Sequence, residues 1–152
     1  MYDYKKHAIL YVDDEEQSLN FFQKTFAKEF RVLTALSGPE GEEILGREDS
    51  LVGIVITDQR MPEQTGVEFL ARIRRSRPDI VRMLTTAYTD LDAAIKAVNS
   101  GAILKYVVKP WNLEELRGAL LRGMEFFLVR QERDTLLRER LSILQGFVIA
   151  DR

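Results

Sequence analysis

Four apolar runs in this chain end at side chains that can do chemistry: Asp13 and Asp14 close AILYV, Asp58 closes LVGIVIT, Thr86 follows IVRMLT, and Lys109-Pro110 closes LKYVV. Three carboxylates held together repel, and each resists ionisation unless a cation shares the site. The chain has no cysteine and no histidine near these acids. Oxygen-only donors suit magnesium, a hard ion that keeps several waters and takes one or two carboxylates together with phosphate oxygens. Asp58, ending the central run, is then placed to act as a nucleophile toward phosphorus. Phosphoryl transfer needs in-line positioning and charge neutralisation, which Lys109 and the metal would supply, with Thr86 donating a hydroxyl to one phosphoryl oxygen.

The elements that must position these groups follow from the hydrophobic pattern. Runs rich in Ile, Val and Leu alternate with amphipathic stretches, as expected for repeated strand-helix units whose parallel sheet is covered on both faces. Neighbouring strands of such a sheet present their carboxyl ends side by side, so the three acids converge in one crevice. Strands are expected near 8–12, 31–35, 51–57, 80–85 and 104–108, with helices near 15–28, 38–47, 65–76, 89–100 and from 112 onward. Leu19, Phe22 and Phe26 share one helix face, and Leu91, Ala94, Ile95 and Val98 another. Ser37 with Glu40, Thr89 with Asp92, and Asn112 with Glu115 are cap signals, while Pro78 and Gly101 stand where helices should stop.

Past residue 112 the pattern changes. No proline interrupts the chain to about residue 145, and Leu116, Leu120, Gly123, Phe127, Arg130, Asp134, Leu137, Leu141 and Leu144 follow alternating steps of four and three. An extended C-terminal helix is expected, with a seam for a second copy of the chain; the alternative is a surface helix lying on its own domain.

The 152 residues fit one domain with an appendage. Lys and Arg total 22 against 24 Asp and Glu, a formal charge of −2 that gives no reason to expect nucleic-acid contact by this segment. Lack of cysteine excludes a disulfide framework and thiolate metal sites. No run has the length of a membrane span or the form of a signal peptide. A soluble, cytoplasmic segment is expected.

VDDEE at 12–16, TDQRMPEQTG at 57–66, TTAY at 85–88 and YVVKPW at 106–111 together resemble the receiver domain of two-component response regulators, over roughly residues 7–122. The resemblance implies a flavodoxin-like, doubly wound five-stranded parallel sheet of order 2-1-3-4-5. Residues 1–122 would be the receiver and 123–152 a helical extension or linker. It implies that a histidine kinase or phosphotransfer protein phosphorylates Asp58. Asp14 would ligate magnesium directly and Asp13 at least partly through water, with Asp58 and the backbone carbonyl of Arg60 completing the protein's share. Thr86 and Lys109 would bind the phosphoryl group, Tyr106 would be the aromatic switch, and Arg60 and Tyr88 would set the lifetime of the aspartyl phosphate. A cis peptide before Pro110 is also implied, aiming Lys109 inward. DQRMPEQTGVEFL at 58–70, TTAYTDLDAAIKAVNSG at 85–101 and YVVKPW look like receivers linked to hydrogenase-type transcription regulators, HD-GYP phosphodiesterases or histidine kinases. His7 and Trp111 are read as structural or exposed.

The expected role is therefore a switch rather than a classical enzyme, controlling an output domain or effector protein. Phosphorylation would draw Thr86 toward the site, let Tyr106 turn inward and reshape the face made by the fourth helix, fifth strand and fifth helix. A magnesium-dependent phosphohydrolase is one rival, but such enzymes place a second Asp two residues after the nucleophile, where this chain has Arg60. A phosphorylation-independent interaction module is the other, and such modules usually lose part of the acidic site.

Overall fold

The computed structural model describes residues 3–47 and 50–150, without the side chains of 147–150. Strands β1 (Ala8–Val12), β2 (Arg31–Ala35), β3 (Val52–Asp58), β4 (Val81–Thr86) and β5 (Lys105–Val108) form one parallel sheet in the order β2-β1-β3-β4-β5. Helices α1 (Glu16–Phe26), α2 (Gly38–Leu45), α3 (Gly66–Ser76), α4 (Leu91–Asn99) and α5 (Leu113–Ala150) alternate with the strands. This is the doubly wound, flavodoxin-like order expected.

Every residue of β1 is buried, because helices cover both faces of the sheet. Strand alternation divides the core in two. Ile9 and Tyr11 pack with Phe22 and Phe26 of α1 and Leu116, Leu120 and Met124 of α5. Leu10 and Val12 pack on the opposite face with Phe69, Leu70 and Ile73 of α3 and Ala94 and Ala97 of α4. Full burial of each large side chain contributes about 1.5–3 kcal/mol, so the two layers fix which face of each helix turns inward.

Helix starts are set locally. Ser37 Oγ accepts the Glu40 N–H at 3.2 Å while the Glu40 carboxylate accepts the Leu36 N–H at 3.1 Å, and Asn112 Oδ1 accepts the Glu115 N–H at 3.1 Å. The expected Thr89 cap does not form. Thr89 lies inside a 3₁₀ turn, Tyr88–Asp90, and Asp90 precedes α4 without a side-chain cap bond. Ile95 and Val98 also depart from expectation: they are exposed, and α4 buries Ala94 and Ala97 instead. Gly101 ends α4 with φ of 77°, a conformation glycine adopts without penalty.

The long seam is divided by the packing. Leu116, Leu120, Gly123 and Phe127 are buried in the chain's own domain, so the first half of the stripe is core. Leu137, Leu141 and Leu144, by contrast, are 51 %, 58 % and 59 % exposed. A period of three and four is common to a helix on a sheet and a helix in a coiled coil, which is why the sequence reads continuously through both.

Gly66 at the start of α3 ties the fold to the site. A Cβ there would lie 2.4 Å from the Asp58 carbonyl oxygen and 2.8 Å from Leu84 Cδ1. Backbone and sheet would have to part, so Gly66→Ala is expected to destabilise by about 3 kcal/mol, a melting-temperature loss of roughly 6–12 °C. A thermal unfolding curve within 2 °C or so of wild type would show that the loop after β3 yields freely.

Candidate metal and phosphoryl site

Sheet register brings the predicted groups together. Val12 pairs with Thr57 across β1 and β3, so the next residues, Asp13 and Asp58, leave the sheet side by side. Thr86 pairs with Val108 across β4 and β5, and the Lys109 N–H donates to the Thr86 carbonyl at 2.8 Å. Lys109 therefore emerges beside the acids. Its Nζ lies 3.1 Å from Asp58 Oδ1 and 3.2 Å from Asp13 Oδ2. The Lys109-Pro110 peptide is cis, as the resemblance implies.

Carboxylate oxygens of Asp13, Asp14 and Asp58 all lie within 4.8 Å of one another. Asp13 is fully buried, Asp58 is half-buried and Asp14 is exposed, so the cluster opens to solvent on the Asp14 side. One ammonium faces three carboxylates, and a divalent cation fits the remaining charge. Oxygen-only donors with an open side suit magnesium, which holds on to water. Burial pushes the Asp58 pKa above the ordinary carboxyl value, against the pull of Lys109, while Asp13 adds to the rise. For Lys109 burial acts to lower the pKa, but Asp58 and Asp13 outweigh it and the ammonium is held above its usual range.

The loop after β3 is held by Gln59, whose carbonyl accepts the Gly66 N–H at 2.9 Å and whose side-chain oxygen accepts the Val67 N–H at 3.0 Å. Other predicted residues are nearby but engaged elsewhere. Thr86 is fully buried at the end of β4, and its hydroxyl donates to the Ala87 carbonyl at 3.3 Å. Arg60 turns away from the acids and pairs with Asp90 through two contacts of 2.8 and 3.2 Å. Tyr88 is 73 % exposed. Tyr106 is half-buried against the α3–α4 side of the core.

Two participants carried no sequence signal. Tyr11, buried within the apolar run of β1, donates its hydroxyl to Asp13 Oδ2 at 2.5 Å. Burial, then the charge of Asp13, drives the phenol pKa far up, so it remains a donor. Trp111 Nε1 donates to Thr85 Oγ1 at 2.6 Å, and its ring meets Tyr11 edge-on at 5.6 Å and lies 5.7 Å from Lys109 Nζ. An apolar strand reads as core in a sequence, and a polar tip hidden at its end does not change the pattern. Asp13 also shapes the turn that leads to α1, since its Oδ1 accepts the Glu15 N–H at 3.0 Å, while the N-cap residue itself, Glu15, makes no side-chain cap bond.

A doubly wound sheet with strand-end acids and a lysine in one crevice is the architecture of a phosphoryl-accepting switch domain. The response regulator receiver domain family model matches residues 9–121, and the chain belongs to that family. It is 40 % identical over 121 residues to the hydrogenase transcriptional regulatory protein HoxA of Cupriavidus necator, covering 80 % of this chain and 25 % of HoxA. The chain thus spans about a quarter of the curated relatives it matches. Among solved structures, an adenylate cyclase from Rhodopirellula baltica superposes with a TM-score of 0.82 at 28 % identity, covering 88 % of this chain and 98 % of that one. Response regulator TrrA of Thermotoga maritima, in complex with Mg2+ and BeF, superposes with a TM-score of 0.65 at 28 % identity, covering 77 % and 98 %.

Proposed function

We propose that this receiver takes a phosphoryl group onto Asp58 from a phosphohistidine on a histidine kinase or phosphotransfer protein, in the cytoplasm, and relays the change to an output domain or effector. The observation that carries the reading is the meeting of Asp13, Asp14, Asp58 and Lys109 in one solvent-open cluster. Asp14 would hold magnesium directly and Asp13 at least partly through water, with Asp58 and the Arg60 carbonyl completing the protein's share. When bound, the ion neutralises phosphoryl oxygens and the acids around them. An Asp58 oxygen attacks phosphorus as the bond to the donor's imidazole nitrogen breaks, and that nitrogen leaves with the electron pair. Lys109 faces the developing negative charge. Thr86 exchanges its Ala87 carbonyl for a phosphoryl oxygen, and Tyr106 fills the space it vacates. Arg60, held off the site by Asp90, and exposed Tyr88 govern how readily water reaches the phosphorus.

Removing the Asp14 carboxylate tests the metal. Asp14→Asn should weaken magnesium binding and slow acetyl phosphate labelling together, each by about tenfold or more, because a hard cation needs anionic oxygen. Identical magnesium titrations for variant and wild type would reduce Asp14 to a surface residue. The phosphohydrolase alternative lacks its acid: the position two residues after Asp58 is a guanidinium paired to Asp90.

The part of α5 beyond the buried Leu128 is proposed as the output linker and as a homodimer seam. Among the described residues, Leu136, Leu137, Leu141, Ile143 and Leu144 are all more than half exposed on α5. Most helical stability in proteins comes from packing an apolar face, and a second copy would cover this stripe. No helix among the described residues is long and apolar enough to cross a membrane, and we place neither membrane nor direct nucleic-acid contact on this segment.

A further inference from the structure

Tyr11 sits where none of the expected phosphoryl chemistry uses it, yet its hydroxyl ends on a predicted metal ligand. Its ring is fully buried, stacked on Phe22 at a centroid distance of 4.4 Å and set edge-on to Trp111. That clamp leaves the hydroxyl one target, Asp13 Oδ2. The same oxygen takes the Lys109 ammonium, while Oδ1 is held by the Glu15 N–H. Asp13 is completely buried, so both of its oxygens are occupied by donors of the chain itself.

We propose that Tyr11 is a positioning residue that restrains Asp13. Its hydroxyl engages the oxygen that would otherwise bind the cation directly, holds Asp13 at one remove from the metal, and keeps Lys109 shared between Asp13 and Asp58. The inference rests on the magnesium reading above. A carboxylate's donors compete with a cation for the same lone pairs, and a short, buried, charge-assisted hydrogen bond is among the stronger competitors. Without it, Oδ2 keeps only the Lys109 ammonium as a donor and, at unchanged net charge, has a lone pair free for the cation. Magnesium then binds more tightly.

Tyr11→Phe keeps the ring and removes the hydroxyl. Full-length wild type, Tyr11→Phe, Asp13→Asn and the double variant are titrated with MgCl2, reading midpoints from Trp111 fluorescence and from amide chemical shifts around Asp14. Thermal unfolding of each shows that the fold is kept. The expected result is an apparent Kd for magnesium several-fold lower in Tyr11→Phe, with no such change when the substitution is made on Asp13→Asn. Unchanged or weakened binding in Tyr11→Phe would overturn the proposal. So would an equal shift in both backgrounds, which would mark a packing effect not routed through Asp13. Failure of wild type to bind magnesium at all would refute the metal reading itself, whereas binding by wild type with no effect of Tyr11→Phe refutes only the role of Tyr11.

Discussion

Asp58→Asn is expected to lose phosphoryl uptake by about a thousandfold or more, equivalent to roughly 4 kcal/mol of activation free energy, while keeping its fold. Asp58 is the half-buried acid at the end of the central strand, beside Lys109, and an amide is no nucleophile toward phosphorus. Asp13 is enclosed by its own hydrogen bonds, so it offers no substitute. The same variant has a stability signature. With its folded pKa above the ordinary value, Asp58 favours folding when protonated. That contribution is fully present below the unfolded pKa and is lost as pH rises through the folded one. In chelator at neutral pH, Asp58→Asn should therefore melt above wild type, and the gap should close on acidification through the carboxyl range. A variant that melts below wild type at neutral pH would show that the Lys109 pair outweighs burial.

Shortening α5 should turn a dimer into a monomer. The cut must spare the core: Met124, Phe127 and Leu128 are buried in the domain, so a chain ending at Arg133 keeps every α5 residue of the core cluster and removes the exposed stripe. From Leu128 to Ala150 the helix runs on for about 33 Å at 1.5 Å per residue. Leu137, Leu141 and Leu144 keep the four-three spacing of a coiled-coil seam over that length. Arg130, a polar member of the four-three pattern, lies 3.8 Å from Asp79 of its own domain, which places the start of the free seam after it. In sedimentation at micromolar concentration the full chain should run as a dimer, and both the shortened chain and a Leu137→Asp, Leu141→Asp, Leu144→Asp variant as monomers. A monomeric full chain, before and after phosphorylation, would show that the stripe serves another partner.

Much of the crevice was legible in the sequence because parallel strands buried on both faces read as continuous apolar runs, and each run stopped at its functional residue. Asp13, Asp58 and Lys109 could be placed by that rule alone. Thr86 was placed at the right strand end, but its present bond to Ala87 depends on loop geometry that no spacing encodes. Tyr11 and Trp111 were hidden for a different reason: aromatic bodies in a core carry the pattern, and the single polar atom at the tip does not. The α5 stripe misled in its first half because a helix packed on a sheet and one packed on a twin repeat with nearly the same period. Hydrophobicity alone points Ile95 and Val98 inward, whereas α4 turns Ala94 and Ala97 to the core and leaves those two exposed.

The proposed switch depends first on which residue takes the phosphoryl group and what that transfer requires. Full-length protein incubated with acetyl phosphate, in magnesium and in chelator, would be weighed intact and its modified peptide sequenced. One phosphoryl group on Asp58, formed in magnesium and not in chelator, is the predicted result; labelling at another residue, or equal labelling in chelator, would contradict it.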